Sequence, residues 1–315
     1  MDIAFVVDPL DSLKAYKDSS VLMMREAARR GHRVHCLEPA DLRWEEGEIK
    51  ADAVRIEVSG DDDAWFSRCE SSHGPVTRFT AVLMRKDPPF DMEYVYATYL
   101  LELAQAAGVA VYNAPRAVRD HNEKLSIARF PQFIAPTLVT RRDADIRAFL
   151  GRHGRMVLKP LDGMGGSSVF VLSPEDPNIS VIIETITEFG TRTVMAQKYL
   201  PEIGQGDKRV LVIDGVPCPF ALARIPKEGE SRGNLAAGGL GVAQPLTPRD
   251  REIAEALGPV LKARGLLIVG LDIIGSHLTE INVTSPTCMR EILDQTGHSA
   301  GASVLDAIEA YAGLR

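Results

Sequence analysis

The sequence predicts an α/β protein that begins with a mainly parallel sheet. Two observations predict it. Over residues 1–113, apolar runs of strand length alternate with helical segments, the rhythm of a strand-helix-strand unit. Further on, strand-length runs follow one another around tight turns, as in VLVIDGVPCPF. A third observation narrows the class: VDPLDS follows the first strand where a dinucleotide-binding fold carries GxGxxG, so a nicotinamide dehydrogenase is disfavoured.

The elements follow in order. IAFVV (3–7) is a strand, and Asp18 or Ser19 caps a helix over VLMMREAARR that Gly31 ends. RVHCLE is the second strand, and residues 48–58 alternate as a half-buried strand does. TAVLM (80–84), a helix over 93–107 and VAVYN (109–113) close the unit. A helical segment from Pro115 leads into RDHNEKLSIARF. TLVT, MVLKP, SVFVL and TVMAQKYL read as strands, with helices over DADIRAFLGRHG and about 179–188. KRVLVIDGVPCPFALARI is a hairpin turning at Asp214-Gly215. Residues 226–241 are glycine-rich and aperiodic, hence a long loop. RDREIAEALGPVLKARG is a helix, LLIVGLDII and HLTEINV are strands, and a helix ends the chain.

Composition excludes several partners. The 315 residues are 45% hydrophobic and 25% charged with net charge -7, and no Lys/Arg run stands out, which argues against nucleic acid. The apolar stretches are too short to span a membrane, and Asp2 and Asp8 bracket the first one, unlike a signal peptide. Four scattered cysteines without CxxC fit free thiols in a reducing cytoplasm. His32 and His35 read as turn and strand positions rather than metal ligands.

Several segments can carry chemistry. In LDIIGSHLTEINVTSP (271–286), a three-residue loop Gly275 to His277 sets Asp272 opposite Glu280, and Asn282 shares their face. Leu271, Ile273, Ile281 and Val283 take the other face, which suits a core. Two carboxylates and an amide are hard donors suited to Mg²⁺, although a solvated polar face has the same pattern. The loop LKPLDGMGGSS holds Gly163, Gly165 and Gly166, but Lys159 precedes them, unlike a P-loop. Lys124 follows Asn122 at a helix start. Alone these are surface lysines; combined with the glycines and the acidic face they neutralise a triphosphate. Arg209 and Arg224 precede the 226–241 loop, which carries Arg232 and Asn234; the loop reads as an exposed linker or as a cover. In MRKDPPFD (84–91), Arg85 stands at a strand end, where it clamps a substrate carboxylate or makes a structural turn. Cys288 reads as a small buried residue rather than a nucleophile.

MRKDPPFD, NEKL, LKPLDGMGGSS, GDKRVLV, ARIP…E-x-RGNLAAGG and VGLDIIG…LTEINVTSPTC together resemble the ATP-grasp ligases, and within them the bacterial glutathione synthetases. The resemblance runs from the first strand to the last helix. It implies an N-terminal pre-ATP-grasp substrate domain over 1–123 and an ATP-grasp domain over 124–315. The latter divides into a lid-type subdomain at about 130–200 and a catalytic subdomain at about 201–315, with a mobile loop at 225–241. It implies ATP-dependent joining of γ-glutamylcysteine and glycine through an acyl phosphate, with two Mg²⁺ ions or Mn²⁺, in a cytoplasmic homotetramer.

Carried onto this sequence, Lys124 and Lys159 contact the phosphates under a flap formed by Gly163, Gly165, Gly166, Ser167 and Ser168. Gln197, Lys198, Tyr199 and Leu200 border the adenine and Asp207 the ribose. Asp272, Glu280 and Asn282 hold the metal ions. Arg209 and Arg224 lie near the transferring phosphate and the substrate carboxylate, with Lys159 among the catalytic groups. Arg85, Arg232, Asn234, Ser285, Pro286 and Thr287 face the substrates. Position 198 departs from the family pattern, which has Asn there. Another ATP-grasp carboxylate–amine ligase, such as a D-alanine ligase, shares the metal face and lysines and differs in MRKDPPF and TSPTC. A non-catalytic ATP-binding protein on this fold has no need of Asp272, Glu280, Asn282 and Arg209.

Overall fold

The computed structural model describes residues 1–163, 166–227, 233, 235 and 238–313. The first unit contains β1 (Asp2–Val6), α1 (Ser19–Arg29), β2 (Arg33–Leu37), β3 (Leu42–Glu45), β4 (Glu48–Val58), β5 (Phe66–Pro75), β6 (Ala81–Met84), α2 (Met92–Ala106) and β7 (Ala110–Tyr112). β2, β1, β6 and β7 form the expected parallel block. Asp18 caps α1, its Oδ1 accepting from the Ser20 and Val21 N–H groups at 2.7 and 2.9 Å. β3, β4 and β5 extend the sheet in the antiparallel sense. The sequence reading has no place for β3 and β5. β5, FSRCESSHGP, buries none of its residues, so no apolar alternation marks it; ladder bonds to β4 hold it instead.

Next come α3 (Pro115–Asp120), β8 (Thr137–Thr140), α4 (Asp143–His153), β9 (Met156–Pro160), β10 (Phe170–Leu172), α5 (Ile179–Ile186) and β11 (Val194–Lys198). The strands make an antiparallel sheet in the order β10-β9-β11-β8. Ile146, Phe149, Leu158, Ile183 and Ala196 form its core beneath α4 and α5.

The last unit contains β12 (Asp207–Ile213), β13 (Val216–Ile225), β14 (Leu240–Pro245), α6 (Pro248–Ala263), β15 (Ile268–Ile274), β16 (His277–Asn282), α7 (Met289–Thr296) and α8 (Ala300–Tyr311). Its strands are antiparallel in the order β14-β13-β12-β15-β16. The Asp214-Gly215 turn is as expected, with φ of 50° and 80°. Leu240 pairs with Ile225, so the segment read as a loop to 241 already ends in β14, a strand absent from the sequence reading.

α6 covers one face of this sheet, and α7 and α8 cover the other. One continuous core joins Phe5 and Met23 of the first unit to Leu211, Leu222, Met289 and Leu305 of the last. Asn113, buried at the end of β7, clips the two sheets together. Its Nδ2 donates to the Ile268 and Val283 carbonyls at 2.8 and 2.7 Å, and its Oδ1 accepts from the Ile268 N–H at 2.8 Å. Among the described residues no helix is long and apolar enough to cross a membrane.

The β12–β13 turn also rests on α6. A Cβ at Gly258 would lie 2.1 Å from the Gly215 carbonyl oxygen, too close for any side chain. Gly258→Ala is expected to cost roughly 1–3 kcal/mol of stability. Denaturant unfolding reads this directly; an unchanged midpoint would mean that the helix can withdraw without loss.

Candidate active site

Register gathers the chemistry on one face of the five-stranded sheet. Cross-strand neighbours share a face, as do residues two apart on a strand. Asp207 pairs with Arg224, and Arg209 with Asp272. Asp272 pairs in turn with Glu280, and Gly270 with Asn282. The Asp272–Glu280 pairing matches the sequence reading, but by another route. Ile274 pairs with His277 across a two-residue turn, and a bulge at Thr279 restores the register that a three-residue loop would give. Thr279 Oγ1 donates to the Asp272 carbonyl at 3.1 Å. Gly270 keeps a lane open for Arg209, since a Cβ there would lie 2.8 Å from Arg209 Cδ.

Asp272 sits at the centre of this face. Arg209 donates to it through Nε and Nη2 at 2.5 and 3.0 Å. Arg224 Nη2 lies 2.9 Å from Asp272 Oδ2, and Asn282 Nδ2 donates to the same oxygen at 3.2 Å. Three of these four contacts crowd onto Oδ2, while Oδ1 accepts one. Arg224 also donates to Asp207 Oδ2 at 2.5 Å.

A cavity of about 600 Å³ opens against this face. β9 contributes Lys159 and β11 contributes Gln197 from the opposite sheet, and Lys124 reaches in after α3. Lys159 and Lys124 hold their ammonium groups 3.5 and 3.7 Å from Glu280 Oε1. Lys124 also pairs with Glu123 and donates to the Gly163 carbonyl at 2.5 Å. Gln197 Nε2 donates to Thr137 Oγ1 at 3.1 Å.

The cluster therefore balances Glu123, Asp207, Asp272 and Glu280 against Lys124, Lys159, Arg209 and Arg224. Burial raises the Asp207 carboxyl to about 6 although Arg224 opposes it. Burial also acts to raise Asp272, but Arg209 and Arg224 overcome it and hold this group far below the usual carboxylate range. Burial, then Glu280, pushes Glu123 up. Burial lowers Lys159, whereas for Lys124 the pull of burial is outweighed by Glu280 and Glu123 and the ammonium is held above its usual value.

Comparison with known proteins accords with this geometry. Family profiles for the prokaryotic glutathione synthetase N-terminal domain and ATP-grasp domain match residues 1–119 and 123–297. The chain is 57% identical over 312 residues to the glutathione synthetase of Nitrosomonas europaea, covering 98% of each. It is 53% identical over 315 residues to that of Neisseria meningitidis serogroup B, covering 99% of each.

The chain belongs to the prokaryotic glutathione synthetase family. Its fold is shared more widely: the crystal structure of D-cycloserine synthetase DcsG superposes with a TM-score of 0.69 at 16% identity, over 98% of this chain and 99% of that one.

Most residues singled out from the sequence line the cavity of this glutathione synthetase family member. On the expected nucleotide side these are Lys124, Lys159, Gly163, Gly166, Gln197, Lys198, Tyr199, Leu200 and Asp207. Arg209, Arg224, Glu280, Asn282, Ser285, Pro286 and Thr287 complete the wall. Asp272, 2% exposed, lies beneath the arginines. Ser167 and Ser168 are exposed and stand outside the wall. Lys198 is exposed, and its N–H is bonded to the Pro136 carbonyl at 2.9 Å. Gly165, Arg232, Asn234 and much of the middle of the 225–241 loop lie outside the described residues.

Arg85 departs from expectation. It is 4% exposed and absent from the wall. The pleat of β6 carries it to the α1 side with Leu83, where Nε donates to Ser20 Oγ at 3.1 Å. Its Nη2 donates to the Pro286 carbonyl at 3.0 Å, so it props the Ser285–Thr287 turn from behind. Glu123 and Gly270 are functional positions that the sequence reading missed. Glu123 is signalled only by its place beside Lys124; Gly270 is signalled by nothing local.

Asp272→Asn is expected to cost about 3–5 kcal/mol, because it strands Arg209, which has no other carboxylate partner among the described residues. Asp207→Asn is expected to cost far less, since Arg224 keeps Asp272. It should also remove a pH dependence. The folded protein holds the Asp207 proton up to about 6 whereas the unfolded chain releases it near 3.8, so stability falls as pH rises between those values. Denaturant unfolding from pH 4 to 7 checks both variants; equal losses, or a fall in stability over that range as steep in Asp207→Asn as in the parent, would contradict the assignment.

Proposed function

We propose a division of roles among these residues for glutathione synthesis. The enzyme is an ATP-dependent ligase that joins γ-glutamylcysteine and glycine, releasing ADP and phosphate. The γ-phosphoryl group moves from ATP to the cysteinyl carboxylate, breaking the bond to ADP and making an acyl phosphate. Glycine's amine then forms the amide bond, loses a proton, and phosphate leaves. Such a reaction asks for positioning, charge neutralisation and exclusion of water.

The observation that carries the reading is the balanced cluster on one sheet face. Lys124 and Lys159, now on Glu280, take the phosphate oxygens. Gly163, Gly165, Gly166, Ser167 and Ser168 cover them, Gln197 to Leu200 border the adenine, and Asp207 meets the ribose. Arg209 and Arg224 stabilise charge spread over the group in transfer. Arg232 and Asn234 face the substrates from the 225–241 loop, which covers the reacting centre. Ser285, Pro286 and Thr287 hold the dipeptide, with Arg85 acting through the turn.

Among the described residues no three His, Cys, Asp or Glu side chains form a metal cluster. The donors are instead two carboxylates and an amide, a set suited to Mg²⁺, which keeps much of its shell for water and phosphate. Asp272, Glu280 and Asn282 would hold two Mg²⁺ ions, or Mn²⁺, which supply further neutralisation of the phosphates. The proposed division is a substrate domain over 1–123 and an ATP-grasp domain over 124–315. A cytoplasmic location fits the described cysteines, all of them free.

A homotetramer fits the outer face of α2. Met92, Tyr96, Tyr99 and Leu103 recur at helical spacing there and are 56, 52, 50 and 50% exposed. Light scattering is expected to give a tetramer that Tyr99→Glu splits into smaller species; a monomeric wild type would refute the assembly.

Phosphate release is expected only when ATP, Mg²⁺, γ-glutamylcysteine and glycine are all present. Release with D-alanine alone, or none with the full set, would overturn the activity. Glu280→Gln is expected to lower turnover at least 100-fold and weaken its Mg²⁺ dependence while the thermal midpoint holds. Parallel loss of both would indicate a structural residue.

A further inference from the structure

Opposite the charged face, the four-stranded sheet lays another wall of the cavity. Register sets Val171, Val157, Gln197 and Thr137 side by side on β10, β9, β11 and β8. Such cross-strand neighbours share a face. The first three line the cavity, while Thr137 stands outside its wall. Lys159 lies two residues beyond Val157 on the same face, so one strand carries both the phosphate lysine and this apolar floor. The row offers two β-branched side chains for a flat ring to lie on and, at its rim, one amide.

A glutamine amide alone has no preferred sense. It carries a donor and an acceptor, and half a turn exchanges them. Here the neighbours decide. Thr137 Oγ1 donates its single proton to the Ala135 carbonyl at 2.8 Å. Ala135 is 4% exposed, and no backbone N–H among the described residues reaches that carbonyl. The proton is therefore committed, and Oγ1 has only lone pairs left for its other neighbour. Gln197 accordingly turns its nitrogen to Thr137, Nε2 donating to Oγ1 at 3.1 Å. The reverse sense would set two acceptors against each other or take the proton from the Ala135 carbonyl. Nothing among the described residues donates to Gln197 Oε1, and that oxygen is not shielded from solvent, so it faces the cavity.

We propose that Thr137 is a positioning residue for nucleobase choice: it holds the Gln197 carbonyl oxygen toward the cavity, where that oxygen accepts from the 6-amino group of adenine and opposes the 6-oxo group of guanine. The assignment rests on the function proposed above, which borders the adenine with Gln197 to Leu200, and it names the group that is read and the residue that sets the reading. At the 6 position adenine presents a donor and guanine an acceptor. An amide free to turn serves both. Selection therefore belongs to the hydroxyl behind the glutamine as much as to the glutamine itself.

Steady-state kinetics of the full chain test this with ATP, GTP and purine riboside triphosphate, which carries only hydrogen at the 6 position. The wild type is expected to prefer ATP to GTP in kcat/KM by about 100-fold or more; equal use of both overturns the selector. Thr137→Val is expected to shrink that preference about 10-fold, Thr137→Ser to keep it, and both to leave KM for purine riboside triphosphate within about twofold of the wild-type value. Gln197→Leu should raise KM for ATP about 10-fold and leave purine riboside triphosphate unaffected, and it carries the test if Thr137→Val lowers the thermal midpoint. An ATP preference unchanged in Thr137→Val, or equal increases in KM for ATP and purine riboside triphosphate in Gln197→Leu, overturns the selector. Val157→Trp, which fills the floor beside Gln197, is expected to raise KM for all three nucleotides. If it does not, the adenine border proposed above falls and the selector with it; if it does while the Thr137 and Gln197 variants behave as the wild type, the selector alone falls.

Discussion

A buried cluster of charges must balance, and much of this molecule is arranged around that condition. Taking an ion out of water costs several kcal/mol unless a counter-charge and hydrogen bonds replace the solvent. Arg209 and Asp272 are 6 and 2% exposed, Arg224 3%. They persist because strand register sets each beside an opposite charge. The four acids and four bases leave no net charge in the cluster.

The balance demands a stiff frame. The five-stranded sheet carries the arginines and carboxylates, while the lysines arrive from β9 and from the segment after α3. A backbone bond from the Ile281 N–H to the Glu123 carbonyl, at 2.8 Å, fixes that segment against β16. Asn113 and the shared core under α7 and α8 fix the first unit against the same sheet. The cavity is thus bounded by parts distant in sequence but tied by short-range contacts.

How much of this the sequence shows depends on how local the cause is. Asp18 capping α1 and the Asp214-Gly215 turn are decided within a few residues, and both were legible. The Asp272–Glu280 pairing was legible because the apolar alternation of Leu271, Ile273 and Ile281 fixes the face, even though the turn and the Thr279 bulge were not foreseen. β3 and β5 were invisible because their cause is an edge of β4, not their own composition. Arg85 was placed at a strand end, but whether it faced the cavity or α1 depended on the pleat relative to a helix far away in sequence. Glu123 and Gly270 matter through neighbours from other strands, a dependence that no window of sequence contains.

The crowding at Asp272 Oδ2 has a consequence of its own. Arg209, Arg224 and Asn282 all meet at Oδ2, so a further partner for that oxygen has to displace one of them. The longest of those contacts is the Asn282 amide, at 3.2 Å. Half a turn about its terminal bond replaces that amide's donor with its carbonyl oxygen. The same side chain that crowds Oδ2 can therefore withdraw its donor and turn an acceptor toward the cavity in one rotation.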